Sequence, residues 1–500
     1  MNSSVRMHLA NGTRTATVAE RQETGKTARR QRSRTSLATF TPAADRADPV
    51  QLLAGQETYR QQALLPLRHS RMAASAFAFY RGSATVMASD LGAMPNSGLI
   101  TQLCGDAHLS NFGLFAAPDR SVVFDINDFD ETNPGPFEWD VMRMTTSFVL
   151  AGRDVALPTA VCEEAARSAA REYRIQMAQY AGMRDLEVWY DRVSIDVIQQ
   201  WAKQDGRPDA GKQVTQMAAR ARRRDQWSAI SKMTEVVEGQ RRFLNDPPVL
   251  IRIAMDELMT LGVTAMLEEY QKTLAPDRRE LLQRYHIIDM AHKVVGVGSV
   301  GLLAFVILLQ GRDENDLMVL QAKQAVASVL EPFTATSRFE HSGQRVVVGQ
   351  QFLQAASDVF LGWVRGNAGR DYYVRQLRDM KYSIDPTQFN EQLIIGYARV
   401  CGRTLARAHA RAGDSVAIAT YCGTSTKFET AIQAFSIAYA AQAEKDFEKY
   451  KAAIASGRVN VNAGAEHQNY AFAKGSDGAM ELMPVSAPEP APEPAAPASS

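Results

Sequence analysis

Five hundred residues, 45% of them hydrophobic and 22% charged, are too many for one small core, so two lobes are expected. A formal net charge of +1 excludes a global field that would recruit nucleic acid or an anionic membrane, so neither is expected as the main partner. Four well-separated cysteines, Cys104, Cys162, Cys401 and Cys422, show no CxxC pair or zinc spacing, which points to a reducing, cytoplasmic setting without disulfides or structural zinc.

Residues 1–48 are rich in Ser, Thr and Arg, as in "KTARRQRSRTS", and poor in large apolar side chains. They read as a disordered basic tail, and they lack the apolar core of a secretory signal. Residues 49–285 read as a mainly helical lobe. Apolar residues recur at three- and four-residue spacing in "AVCEEAARSAAREYRIQMAQYAG" and "DELMTLGVTAMLEEYQKTL", while residues 100–130 read as strand, polar loop and strand. The basic cluster "RARRR", Arg220 to Arg224, reads as a solvated helix face.

Residues 286–385 switch to β-branched and aliphatic runs such as "HKVVGVG", "GLLAFVILL", "RVVVGQQFLQA" and "YYVRQL", which predict a smaller antiparallel-sheet lobe. The longest apolar run, Val294 to Gly311, is interrupted by glycines before Leu302. Its uninterrupted part crosses a sheet, not the ~30 Å of a bilayer core. Helices return over 386–462 in "EQLIIGYARVCGRTLARAHARAG", and the Pro/Ala-rich residues 463–500 read as a second disordered tail.

Two segments carry chemistry. The first is "LCGDAHLSNFGLFAAPDRSVVFDINDFDET", residues 103–132, where an apolar strand delivers carboxylates just after a loop holding Asp106 and Asn111. Hard oxygen donors of this kind suit Mg2+ or Mn2+ and phosphoryl transfer; the bland alternative is a polar loop whose acids cap turns. The second is Gly296-x-Gly298-Ser299-x-Gly301, followed by a strong strand and then by Lys323 in "LMVLQAKQA". A dinucleotide fold would follow its glycines with a helix. Strand, glycine turn, strand and lysine is the kinase arrangement, with the turn over the phosphates and the lysine paired to them; the alternative is a tight hairpin with an edge lysine.

Gly105-Asp106-x-His108-x-x-Asn111, followed by a strand ending in Asp, resembles the catalytic segment of aminoglycoside and choline phosphotransferases in the protein-kinase-like superfamily. The resemblance implies that Asp106 is the catalytic base and that Asn111 and Asp128 hold metal, with Asp125 the competing ligand. It makes Asp140, in "PFEWD", a carboxylate bracing the loop. Cys104 stands where those families place a histidine, and the glutamate that pairs with a kinase lysine is not identifiable; Glu331 is near but is followed by Pro332. The motif order is also inverted, and "YARVCGRTLARAHARAGD" resembles the helix that leads into such a catalytic loop. The implied chain is circularly permuted.

Over roughly 50–460 the chain is similar, more specifically, to the bacterial domain of unknown function 2252. The similarity is carried by "FYRGSATVMASDL", "QLCGDAHLSNFG", "FDINDFDETNPGPFEWDVMR", "VGVGSVG" and "LARAHARAGD". Gln324 departs from the acid expected after the lysine.

The combined expectation is an α+β, two-lobed, kinase-like and permuted fold. It would use ATP and Mg2+ to phosphorylate an unidentified small-molecule or protein hydroxyl, with Gly296, Gly298, Ser299, Gly301 and Lys323 holding nucleotide. A non-catalytic nucleotide-binding regulator and a metal-dependent phosphohydrolase are the alternatives. A metal bond of ~2.1 Å at one end and a hydrogen bond of ~2.9 Å at the other allow roughly 10 Å between the acidic cluster and Lys323. Arg81, and Arg345 and Arg375 on expected strands, are further cations that could aid phosphate binding, and His409 reads as a satisfied histidine on the lead-in helix.

Overall fold

The computed structural model describes residues 16–485 except 205, 207, 224–225, 254–261, 295, 378–379, 462–468 and 475–479. The first helix, α1 (Val18–Gln31), is closed by a capping box between Thr17 and Glu20, which satisfies the free amides of its first turn. Arg21 pairs with Asp414 at 2.7 Å, and Arg46 bridges Asp90 and Asp446 at 2.6 Å each. Leu37 is buried in the helical turn Arg34–Ala38. From Thr17 onward the basic stretch is therefore structured rather than a tail. It has too little apolar surface to fold alone, and ion pairs to helices hundreds of residues away hold it. Residues 1–15 lie outside the described residues.

Short helices follow: α2 (Pro49–Glu57), α3 (Leu65–Met72), α4 (Ala76–Gly82) and α5 (Ala84–Gly92). Strand β1 (Ile100–Leu103) pairs with β4 (Asn133–Pro136), and between them β2 (Phe112–Ala116) and β3 (Val122–Ile126) form an antiparallel hairpin. Helix α6 (Phe137–Asp154) is buried from Phe137 to Gly152. A helix enclosed on all sides is normally apolar, yet α6 carries Glu138, Asp140 and Arg143, each at most 3% exposed. Each has a partner: Glu138 accepts from the Ser97 amide and hydroxyl at 2.6 and 2.7 Å, and the other two hold the loop described below.

Helices α7 (Thr159–Gly182), α8 (Asp185–Tyr190), α9 (Ile195–Gln204), α10 (Pro208–Arg222) and α11 (Gln226–Met233) come next. Hairpin β5 (Thr234–Val237)–β6 (Gln240–Phe243), strand β7 (Leu250–Arg252), and helices α12 (Val263–Lys272) and α13 (Pro276–Leu282) lead to the main sheet. That sheet comprises β7, β8 (His286–Lys293), β9 (Ala304–Gln310), β10 (Leu317–Ala325), β11 (Gly362–Arg365) and β12 (Asp371–Gln376). It is antiparallel throughout, in the order β11-β12-β10-β9-β8-β7. Tyr270, Leu274 and Leu282 share one core with Met290, Ile307 and Leu320, and Ile230 and Phe243 share another with Val306 and Val319. The sheet unit thus begins near α11, not at residue 286. Amphipathic spacing shows that α12 has a buried face but not which core receives it.

"RVVVGQQFL" is helical, not a strand: α14 (Ser342–Leu353) is N-capped by the His341 side chain and buries Arg345, Val346 and Val347. Tertiary packing overrides the β preference of three consecutive valines. Helices α15 (Glu391–Ala412), α16 (Ser415–Cys422) and α17 (Lys427–Ala455) complete the helical core around α6 and α7. After α15, Gly413 sits against Thr101, where even a Cβ would lie 2.5 Å from Thr101 Oγ1. Two strands, β13 (Asn469–Lys474) and β14 (Met480–Val485), pair within the segment expected as a tail, and Tyr470 and Leu482 pack on Leu64 and Leu67. Residues 486–500 lie outside the described residues. All four cysteines are free and buried, and among the described residues no helix is long and apolar enough to cross a membrane.

Candidate active site

Strand β1 delivers the loop 104–111 onto the N-terminus of α6. Asp140 accepts from the Cys104 amide at 2.8 Å and the Gly105 amide at 3.1 Å. His409 Nε2 on α15 stands 3.2 Å from the same carboxylate, and His409 Nδ1 is 2.9 Å from the Tyr173 hydroxyl. Gly105 has φ +86°, and a Cβ there would lie 2.1 Å from the Glu131 carbonyl oxygen, so only glycine passes between the two segments. Burial pushes the Cys104 thiol well up, and the neighbouring Asp140 adds to that, which leaves no thiolate for nucleophilic work.

The next residue, Asp106, is 19% exposed at its side chain and accepts from Arg143 Nε at 2.8 Å. Burial raises its carboxyl above the usual range against the pull of Arg143 and Arg81. Arg143 is itself seated over the Tyr80 ring at 3.7 Å and donates to the Tyr80 carbonyl at 2.7 Å. Asn111 closes the loop on itself, its Nδ2 donating to the Asp106 carbonyl at 2.8 Å. The Asn111 carbonyl accepts from the Asn127 amide at 2.7 Å, which brings the end of β3 beside the loop.

The three acids of that strand end differ in role. Asp125 lies within β3, is 3% exposed and meets Arg407 of α15 at 2.5 Å. It is an ion-pair partner inside the helical core, whereas Asp128 has no such pair among the described residues. Asp128 and Asp130 flank the buried Phe129, and the Asp130 amide donates to Asp128 Oδ1 at 3.1 Å. Burial and then the charge of Asp130 push the Asp128 carboxyl up. Burial pushes Asp130 the same way, but Lys323 and Tyr373 overcome it and hold this carboxyl below the usual range.

Lys323 Nζ lies 2.6 Å from Asp130 Oδ2, and the Tyr373 hydroxyl donates to Oδ1 at 2.7 Å. Ser299 of the glycine turn reaches Asp130 Oδ2 at 3.3 Å. The turn joins β8 to β9, Lys323 lies on β10, and both face the acidic loop. Asp130, which is not one of the three residues for which a separation of roughly 10 Å from Lys323 is expected, contacts that lysine directly. Gly298 and Gly296 accept at their carbonyls from Arg60 and Arg71, both at 2.8 Å, and the Gly301 carbonyl accepts from the Gln61 amide at 2.7 Å. Segment 60–71 thereby fastens the turn to the helical side.

Other expected participants take supporting places. Arg345 lies on α14, where it donates to the carbonyls of Thr132, Asp130 and Val326 at 2.6 to 2.9 Å. Glu331 faces Arg345 at 3.7 Å, not Lys323. Gln324 accepts from the Leu303 amide at 3.1 Å. Arg375 grips Gln321 at 3.0 and 3.1 Å and stabilises the charge of Asp128.

Sequence reasoning missed Asp130 and Arg143. The signal for Asp130 was present: two acids either side of an apolar residue share one face of an extended segment. Arg143 gave none, since nothing local distinguishes one arginine of a buried helix.

Two carboxylates that repel each other on one half-buried loop are the setting a dication relieves. Among the described residues no three His, Cys, Asp or Glu side chains gather as a metal-holding group. Magnesium does not require one: it is commonly held by one or two protein carboxylates with substrate phosphates supplying the rest. Asp128, with Asn111 beside its strand end, fits that pattern.

A family model described as "uncharacterized protein conserved in bacteria (DUF2252)" matches residues 60–453. That span contains the loop, the acidic strand end, the glycine turn and Lys323. No curated protein and no solved structure matches the chain.

Proposed function

This chain belongs to the DUF2252 family of proteins conserved in bacteria, and we propose that it is a Mg2+-assisted, ATP-dependent phosphotransferase with a kinase-like, circularly permuted fold. One observation carries the reading. The glycine turn between the first and second strands of a meander, and the lysine on its third, meet an Asp/Asn loop and acidic strand end that lie almost two hundred residues earlier in the chain, at the 2.6 Å contact between Lys323 and Asp130. Glycine turn, third-strand lysine and Asp/Asn loop are the working parts of kinase phosphoryl transfer. The junction of Gly413 with Thr101 and of His409 with Asp140 supports the permutation. It sets the end of α15 beside β1, the strand that enters the loop.

In this reading ATP lies between sheet and helices, and Lys323 exchanges Asp130 for a phosphate oxygen. Asp106 accepts the acceptor's hydroxyl proton as that oxygen bonds to the γ-phosphorus and the β–γ bridging bond breaks, releasing ADP. Its raised affinity for a proton suits that task. Asn111 and Asp128 would hold Mg2+, which supplies charge neutralisation at the phosphates. Arg143 keeps the Asp106 carboxylate oriented, and Asp140 keeps the loop in place.

The test is Mg2+-dependent ATP turnover by the full chain and by Asp106→Asn. Removing a general base costs on the order of 100-fold or more. Undiminished turnover in Asp106→Asn overturns the assignment. A second reading, a nucleotide-binding regulator without turnover, is favoured by the direct occupation of Lys323 by Asp130. It predicts Mg·ATP binding by calorimetry with no product in the parallel assay.

A further inference from the structure

Four arginines near the glycine turn and the loop have their work defined. Arg60 and Arg71 bind turn carbonyls, Arg68 donates to the Gly82 carbonyl at 2.8 Å, and Arg143 holds Asp106. Arg81, in the last turn of α4, differs. Its Nε is buried without a hydrogen-bond partner, and among the described residues no hydrogen bond or ion pair is formed by the Arg81 side chain. Its contacts are the Phe77 ring, 5.8 Å from the guanidinium carbon, and the electrostatic field of Asp106. Its own carbonyl lies 3.4 Å from where a Cβ on Gly298 would sit. Arg81 therefore stands between the loop that holds Asp106 and the turn expected to cover phosphates.

Arg81 as a whole is partly exposed, but a buried donor such as its Nε, left without a hydrogen bond, is costly, and an anion bound by this guanidinium would relieve that cost. Asp106 does not complete the guanidinium: its Oδ1 accepts from Arg143 at 2.8 Å, and it acts on Arg81 only through its charge. His108 does not compete for an anion either. It is buried with Nδ1 unpartnered, and burial followed by the charges of Arg81 and Arg143 keeps its ring neutral. The position of Arg81 suits an anion with oxygens to spare, bound between an acceptor hydroxyl at Asp106 and the glycine turn.

We propose that Arg81 is a catalytic residue that donates hydrogen bonds to the non-bridging oxygens of the phosphoryl group in transfer, an arginine supplied within the same chain. The inference rests on the phosphotransferase reading and adds a charge-stabilising group to it. Such an arginine acts on the charge that spreads over the equatorial oxygens as the group moves, so its contribution is larger in the transition state than in bound ATP.

The test compares the full-length wild type with Arg81→Ala and Arg81→Gln in two measurements: calorimetric affinity for Mg·ADP with and without aluminium fluoride, and steady-state Mg·ATP turnover. The expected result is near-wild-type affinity for Mg·ADP, loss of the extra affinity conferred by aluminium fluoride, and kcat lowered by about 1,000-fold at little-changed KM. Arg81→Gln keeps side-chain volume, so it carries the test if Arg81→Ala does not fold. A folded variant with wild-type kcat and wild-type aluminium fluoride response overturns the inference alone. So does a variant whose only defect is weaker Mg·ADP binding, which would make Arg81 a ground-state ligand. A wild type that binds no Mg·ATP overturns the underlying reading, and the inference with it.

Discussion

Lys323 on β10 and Asp130 after β3 form an ion pair of 2.6 Å, with the lysine 4% and the aspartate 20% exposed at their side chains. The pair fastens the sheet to the acidic loop across a chain separation that no local signal bridges. Removing one partner of a largely buried pair leaves the other charge uncompensated, at a cost of about 3 to 5 kcal/mol. Lys323→Met should therefore lower the urea midpoint markedly, and it should also weaken Mg·ATP binding. A double change to apolar residues, Lys323→Met with Asp130→Leu, should recover much of the stability but none of the binding. If Lys323→Met unfolds at the wild-type midpoint, the pair does not form in solution.

Asp125 and Asp128 are separated by two residues and predict opposite outcomes. Arg407 is fully buried against Asp125 at 2.5 Å. Asp125→Ala should therefore destabilise the protein by about 3 kcal/mol or more and leave Mg2+ dependence unchanged in whatever protein folds. Asp128 is half-buried beside Asp130 with its carboxyl pushed up, so its charge opposes folding when no metal is bound. Asp128→Asn should melt at or slightly above the wild-type temperature and lose the stabilisation that Mg2+ with ATP confers on the wild type. Thermal melts with and without Mg·ATP check both, and the reverse pattern would make Asp125 the ligand.

How far the sequence reveals this site follows from what each signal measures. Periodicity and turn chemistry marked the sheet, the glycine turn and the Asp106–Asn111 loop because those features are local. The roles of Asp125, Asp128 and Asp130 were not separable, since the end of a strand is the least defined part of its pattern. Arg345 was expected on a strand because "RVVV" has β-type composition, whereas burial between sheet and core made it a helix. The basic segment from Thr17 looked disordered because its anchors, Asp414 for Arg21 and Asp446 for Arg46, lie at the far end of the chain.

Acid should destabilise the sheet through His292. Its ring is buried on β8 between Phe305 and Phe472, at 5.8 and 5.5 Å, and burial lowers its pKa from 6.5 to about 4. The folded state then binds fewer protons than the unfolded chain between those values, so stability rises with pH across that window. The contribution is complete above pH 6.5 and is lost progressively as pH falls towards 4, amounting to about 3 kcal/mol. Urea titrations at several pH values should show a shallower acid loss for His292→Leu than for the wild type. Parallel curves would mean that His292 is not held neutral.

Two glycines on α15 should respond to alanine with opposite signs. Gly402 faces α7 so closely that a Cβ would lie 2.2 Å from the Ala169 carbonyl oxygen. That contact is backbone, and no rotamer change can relieve it. Gly402→Ala must push the two helices apart, along a seam where Ala165, Ala166 and Ala169 are fully buried, at a cost of about 2 to 3 kcal/mol. One and a half turns earlier, Gly396 borders an apolar cavity with Phe124, Trp201 and Tyr397, and a Cβ there meets nothing within 4 Å. Gly396→Ala removes only backbone freedom from the unfolded chain and should raise stability by up to about 1 kcal/mol. Urea midpoints of the two variants bracket the wild type if α15 packs as described. A neutral Gly402→Ala would show that the α7–α15 seam is looser than the 2.2 Å approach requires.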